Sequence, residues 1–276
     1  MPTAVFPPTR PFPRRAFAIL VTLYFLGNLA GIPLLRRTHA PIEPVWFWGV
    51  ATLISAGVIA VSLLLAARIS LGAPWLEGRL AKEALPHWLR RGLALTGLLL
   101  VVALPISLLA NLNVDARTYP LGWELLPASF KAGVVEEVGY RLLLVSLLAW
   151  LGGLHWRDEN GRPTRAVYWT AVLIAGLLFG WAHVDARLGN PAAAFWDYAL
   201  IMALNSALGI YFGWLLWRLG LEWAILAHFA FDAAVSLVLI PVYLAESPVA
   251  WGVLVASLLI VLVVSGRYLV RSKVGV

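Results

Sequence analysis

Eight stretches of the chain, roughly 16–35, 46–67, 92–112, 127–152, 167–186, 194–217, 222–241 and 248–269, are almost wholly apolar. About 20 residues at a helical rise of 1.5 Å cross the hydrocarbon core of a bilayer, so each run is of spanning length. Inside lipid the backbone must satisfy its own hydrogen bonds, which makes a helix the only form such an isolated run can take. The pattern therefore predicts an all-α fold, a polytopic transmembrane bundle of about eight helices around a central polar cavity. The intervening segments are short. Residues 75–91 mix apolar and basic positions and read as an interfacial amphipathic helix broken near Pro86, while 155–166 form a polar turn region. Residues 1–15, with five prolines and Arg10, Arg14 and Arg15, read as an extended tail ahead of a single membrane domain, 16–276. The pair Arg14 and Arg15 before an apolar run faintly resembles a twin-arginine signal, but the many spans that follow favour an uncleaved anchor. Three glycine pairs at four-residue spacing, Gly27/Gly31, Gly176/Gly180 and Gly209/Gly213, predict close helix packing.

Composition agrees with this class. Of 276 residues 61% are hydrophobic and 13% charged, whereas soluble domains carry about 25% charged residues. There is no cysteine, which excludes disulfides and thiolate chemistry. The net charge of +7 does not point to nucleic acid, because Lys and Arg sit in loops beside apolar runs. Fifteen of them fall on the side that eight spans give to both termini and four on the other, a bias that places both termini in the cytoplasm. Tryptophans such as Trp46, Trp48, Trp75, Trp88, Trp123, Trp150, Trp156 and Trp169 lie near the ends of runs and read as an interfacial belt.

A few ionisable residues interrupt the runs. Glu136, Glu137 and Arg141 lie within six residues of one another in the fourth. A charge at a membrane helix centre costs about 2.5–3.5 kcal/mol on insertion scales, so each needs a reason to be there. Glu137 and Arg141 are i,i+4 and can neutralise each other; Glu136 is rotated about 100° away and has no such local partner. Phe179 and His183 share a face at the end of the fifth run, and His228 and Asp232 share one in the seventh. There a carboxylate can orient the imidazole or share a water with it. Each element alone has a structural explanation; three on three spans, each with its own insertion cost, point to function. A water held in an apolar cavity, a base and oxyanion donors would hydrolyse a peptide bond. Two histidines and a carboxylate could equally hold zinc, although the compact HExxH form is lacking. The residues alone leave that choice open.

The motifs EExxxR, FxxxH and HxxxD, carried by Glu136, Glu137 and Arg141, by Phe179 and His183, and by His228 and Asp232, resemble the signature of the CPBP family of intramembrane endopeptidases. That family includes the type II CAAX prenyl proteases. The segment 209–223 resembles the family's Gly-rich helix and turn, and the likeness covers about 125–235. It implies that Glu136, helped by His183, activates water and that His228 and Asp232 line the oxyanion side. Glu137 and Arg141 would brace the helix and Phe179 would pack beside His183. Many members carry Asn where Asp232 stands, and an ionised Asp can only accept hydrogen bonds. Members of that family are described both as metalloproteases and as metal-independent glutamate-type proteases; the expectation here is the second, with no cofactor required, and were zinc bound, Glu136, His183 and His228 would hold it. The expected partners are the lipid bilayer and a peptide or protein substrate, not nucleic acid. A bacterial inner-membrane setting favours a bacteriocin precursor or a C-terminal sorting tail over a prenylated end. A non-enzymatic immunity or scaffold protein of the same fold, or a proton-coupled transporter, are the competing readings. Straight spans raise one difficulty, since they put Glu136 and His183 near the outer face and His228 near the cytoplasm. Convergence then needs overlong or tilted helices, or a segment 188–218 that does not simply cross.

Overall fold

Apolar runs become helices, and the polar stretches between them turn the chain. The computed structural model describes residues 11–37, 45–110, 123–185 and 195–239, with isolated positions beyond 251. Nine α-helices follow in order among these residues: α1 (Arg14–Ala30), α2 (Ile32–Arg37), α3 (Val45–Arg68), α4 (Leu85–Ala110), α5 (Leu125–Glu136), α6 (Ser146–Gly152), α7 (Arg165–Asp185), α8 (Phe195–Leu219) and α9 (Leu221–Ala234). A π-helical segment, Glu137–Val145, joins α5 to α6, and another, Val235–Leu239, extends α9. Joined end to end they make seven helical runs among the described residues, where the sole β contact is a bridge between Arg157 and Pro163. Five helices, Arg14–Arg36, Trp46–Arg68, Leu85–Ser107, Arg165–Val184 and Tyr198–Leu219, are long and apolar enough to cross a membrane. Among the described residues the fold is all-helical, and the protein is transmembrane and multi-pass. The count of about eight is not reached: the expected span 248–269, like the tail 1–10, lies outside the described residues apart from isolated helical positions such as Gly252 and Val255.

Two packing centres hold the bundle. In one, Leu20 of α1, Ile59 and Leu63 of α3, Val134, Val138, Leu142 and Val145 of the 125–152 run and Val172 of α7 are all buried. The other joins Leu95 and Leu99 of α4, Phe212 and Leu215 of α8 and Trp223 and Phe231 of α9. Lipid tails are as apolar as leucine, so close packing rather than burial from water must carry helix association here. The glycine pairs supply it. A Cβ on Gly176 would fall 2.6 Å from Ile210 Cγ1, and one on Gly209 would fall 2.9 Å from Gly176 Cα. Thus α7 and α8 touch backbone to backbone.

Residues 75–91 do not form the expected amphipathic helix. Residues 74–84 are mostly turns, and Pro86 lies in the first turn of α4. A proline there lacks only an N–H that the helix would leave unbonded anyway, so it starts α4 instead of breaking it. The turns are pinned from beneath: buried Glu222 accepts from the backbone N–H of Trp75 at 2.8 Å and of Leu76 at 2.9 Å. Leu221 N–H donates to Gly72 O at 3.0 Å. Trp88 also departs from the belt reading. It is buried, donates its indole N–H to Leu219 O at 2.8 Å, and meets Trp223 edge-on at 5.3 Å, where Gly92 leaves room for the Trp223 ring.

Candidate active site

Glu136 closes α5 and Glu137 opens the π-helical segment. The buried pairs along this run recur every fourth residue: Gly133 and Val134, Glu137 and Val138, Arg141 and Leu142, Val145 and Ser146. In an α-helix a four-residue repeat drifts by about 40° per step. The wider π turn lessens that drift and keeps Glu137 and Arg141 in one buried line, a device frequent at functional sites. Neither the periodicity of the sequence nor its composition carries a signal for it.

The expected pair is present, with Arg141 Nη1 2.9 Å from Glu137 Oε1 and both side chains sealed from solvent. Glu137 does more than brace its helix. Its Oε1 also lies 2.8 Å from His228 Nδ1, ninety-one residues away in sequence. That carboxylate fixes the imidazole by holding a proton on Nδ1. Asp232, expected to orient the ring, faces its other nitrogen instead, with Oδ2 3.5 Å from Nε2. His183 is set in the same manner by its own helix, since Nδ1 lies 2.8 Å from Phe179 O. With both Nδ1 atoms engaged, both Nε2 atoms turn to one place: His183 Nε2 and His228 Nε2 are each 3.9 Å from Glu136 Oε2. Among the described residues that oxygen, itself buried, has no hydrogen-bond partner.

Aromatic rings wall this cluster. Phe179 lies 4.4 Å from the His183 ring and 5.9 Å from the His228 ring, and the Arg141 guanidinium sits over its face at 4.1 Å. Phe212 stacks on His228 at 4.8 Å with an interplanar angle of 14°. Phe212 is a site residue that sequence reasoning missed. One signal could have found it: Phe212 and His228 stand eight residues either side of Gly220, so a sharp turn there sets them level. Gly220 makes that turn with φ 108°, in the region that favours glycine.

The same corner bears on the difficulty over depth. Leu221 and Glu222, at the start of α9, are covered by the 72–76 turns. The 25 residues of α8 span about 37 Å, more than the hydrocarbon core needs. From these starting points Glu136, His183 and His228 reach one another. Access is one-sided: the side chains of Glu136, His183 and Asp232 are 32%, 35% and 30% exposed, against 5% for His228 and 0% for Glu137. A molecule entering the cluster meets the first three. Among the described residues no group of three or more His, Cys, Asp or Glu side chains is already drawn together around an ion position, and were a metal bound, Glu136, His183 and His228 are the residues that would hold it.

Comparison with known proteins addresses the same stretch. Residues 118–234 match the family model described as Rce1-like, type II CAAX prenyl endopeptidase Rce1-like. No curated protein and no solved structure matches the chain. The matched residues, less than half of the chain, contain all three motif helices, from Glu136 to Asp232, and over this core the chain is similar to the Rce1-like type II CAAX prenyl endopeptidases.

Proposed function

We propose that the protein is an intramembrane endopeptidase that hydrolyses a peptide bond with a water activated by Glu136 and His183. The observation that carries this reading is the convergence of two Nε2 atoms on Glu136 Oε2, a buried acceptor with no protein hydrogen bond among the described residues. A gap of 3.9 Å is too long for a direct hydrogen bond, but two legs of about 2.8 Å close over it at roughly 90°. Glu136 takes the proton of that water as its oxygen attacks the carbonyl carbon, then returns it to the leaving amine. His228, held as an imidazolium between the Glu137 carboxylate at Nδ1 and Asp232 at Nε2, presents Nε2–H to the oxyanion. Between turnovers Asp232 receives that N–H. No step needs a metal.

The family description names prenylated CAAX ends. For this chain the substrate class is kept coarser: a peptide presented at the membrane surface, with prenylated tetrapeptide ends, bacteriocin precursors and sorting tails as the substrates to try. The excess of Lys and Arg on one side supports cytoplasmic termini, and a bacterial inner membrane is the setting proposed for it. Purified protein in liposomes, offered these peptides, tests the reading. E136Q and H183A lower cleavage by about 10²–10⁴-fold, the usual contribution of a general base, with the thermal unfolding midpoint unchanged within a few degrees. Retention of the cellular phenotype by a well-folded E136Q would favour a non-enzymatic scaffold. Chelator treatment that abolished cleavage, with zinc restoring it, would replace the glutamate-type reading by a metalloprotease.

A further inference from the structure

At the opposite end of α7 from His183, a second polar feature plays no part in that chemistry. Three candidate spans, Trp46–Arg68, Arg165–Val184 and Tyr198–Leu219, have an end there, since Ser70, Arg165 and Arg218 line one cavity. That cavity has a volume of about 400 Å³, with Arg162, Arg165, Arg218, Asp158, Tyr168 and Trp217 among its lining residues. The stacking of Tyr168 on Trp217 at 5.0 Å forms its aromatic wall. Because span ends border it, the cavity lies at the membrane boundary whichever way the chain is oriented.

Its charge is unbalanced. Among the described residues no carboxylate pairs with the guanidinium of Arg162, Arg165 or Arg218; Arg218 only approaches the Trp217 ring, at 5.8 Å. Asp158 is the single acidic residue of the lining, and its Oδ1 is turned into its own loop, accepting from Asn160 N–H at 2.9 Å and Arg162 N–H at 3.0 Å. Thr164 Oγ1 takes the Val167 N–H at 3.4 Å, so the first turn of α7 begins at the cavity with its positive dipole end. Three guanidinium groups, a helix N-terminus and an indole at a membrane boundary match a tetrahedral oxyanion beside an apolar body. We propose that this cavity binds a phosphate group, presented at the boundary by an anionic lipid headgroup or free in solution, and that it is a site separate from the peptidase cluster.

Short-chain lipids that dissolve as monomers make the test direct. Dihexanoyl-phosphatidylglycerol, dihexanoyl-phosphatidylcholine and inorganic phosphate are titrated into the detergent-solubilised full chain by calorimetry. The phosphatidylglycerol is expected to bind, and the phosphatidylcholine, whose charge is balanced, at least tenfold more weakly. The triple variant R162Q/R165Q/R218Q loses on the order of 100-fold in affinity, about fivefold for each basic residue. Competition by inorganic phosphate identifies free phosphate as the source; its failure to compete identifies the lipid. Should the triple variant misfold, R165Q alone, at an exposed position, is expected to lose about fivefold. Equal binding of the two lipids, or unchanged phosphatidylglycerol binding by a folded variant, overturns the assignment.

Discussion

Replacing Glu137 by Gln keeps the shape of the side chain and removes the charge that both Arg141 and His228 share. In the native protein Arg141 is 1% exposed, its guanidinium confined between Glu137 and the faces of Phe179 and Phe212. Sealed from bulk solvent, it has no other ion-pair partner among the described residues to take over. Breaking a buried pair by removing one partner costs about 3–5 kcal/mol, a large share of a net stability of roughly 5–15 kcal/mol. At about 2–4 °C per kcal/mol, the unfolding midpoint of E137Q in detergent falls by roughly 6–20 °C. The second variant is the diagnostic one. Adding R141M to E137Q removes the uncompensated cation, so the double variant recovers more than half of that loss, a coupling that a double-mutant cycle reads directly. Activity does not recover with stability, because a glutamine carbonyl accepts from His228 Nδ1 without the charge that fixes its protonation. A midpoint for E137Q within 2 °C of wild type, or a double variant no more stable than the single one, would refute the shared-carboxylate reasoning.

G180V places side-chain atoms where Ser206 Oγ already lies against the glycine and where Met202 O is 2.5 Å from a Cβ, so α7 and α8 must separate; a loss of folded yield and of more than about 3 kcal/mol is expected by thermal unfolding. G220A meets Pro74 and must hold φ 108°, and it lowers the midpoint by several degrees while displacing His228, which cleavage reports as a fall in kcat. F212A removes the ring stacked on His228 and leaves a cavity beside Arg141, at a cost of about 3–5 kcal/mol in stability. F212L, which keeps volume, retains most of that stability but orients the imidazole less well, so kcat falls more than KM rises.

The helices and motifs were legible because their signals are local. Apolar runs of spanning length give the bundle, and the i,i+4 spacings place Glu137 by Arg141, Phe179 by His183 and His228 near Asp232. The glycine pairs announced the α7–α8 contact for the same reason. What escaped depends on distant partners or on hydrogen-bond register. The Glu137–His228 bond joins residues whose relation is set by two intervening helices, and the π segment changes the register of bonds without changing the apolar pattern. Trp88 and residues 75–84 were misread through composition, which cannot distinguish a surface amphipathic segment from one pinned beneath a buried Glu222.

The central claim is that Glu136, His183 and His228 meet around one solvent molecule held away from bulk water. An experimental density map of the full chain in lipid, at a resolution that locates bound waters, tests it directly. The account predicts a solvent peak within about 3.2 Å of both Glu136 Oε2 and His183 Nε2, lost in E136A. A Glu136 carboxylate turned toward the lipid, or a site where a tightly coordinated metal ion takes the place of that water, would contradict it.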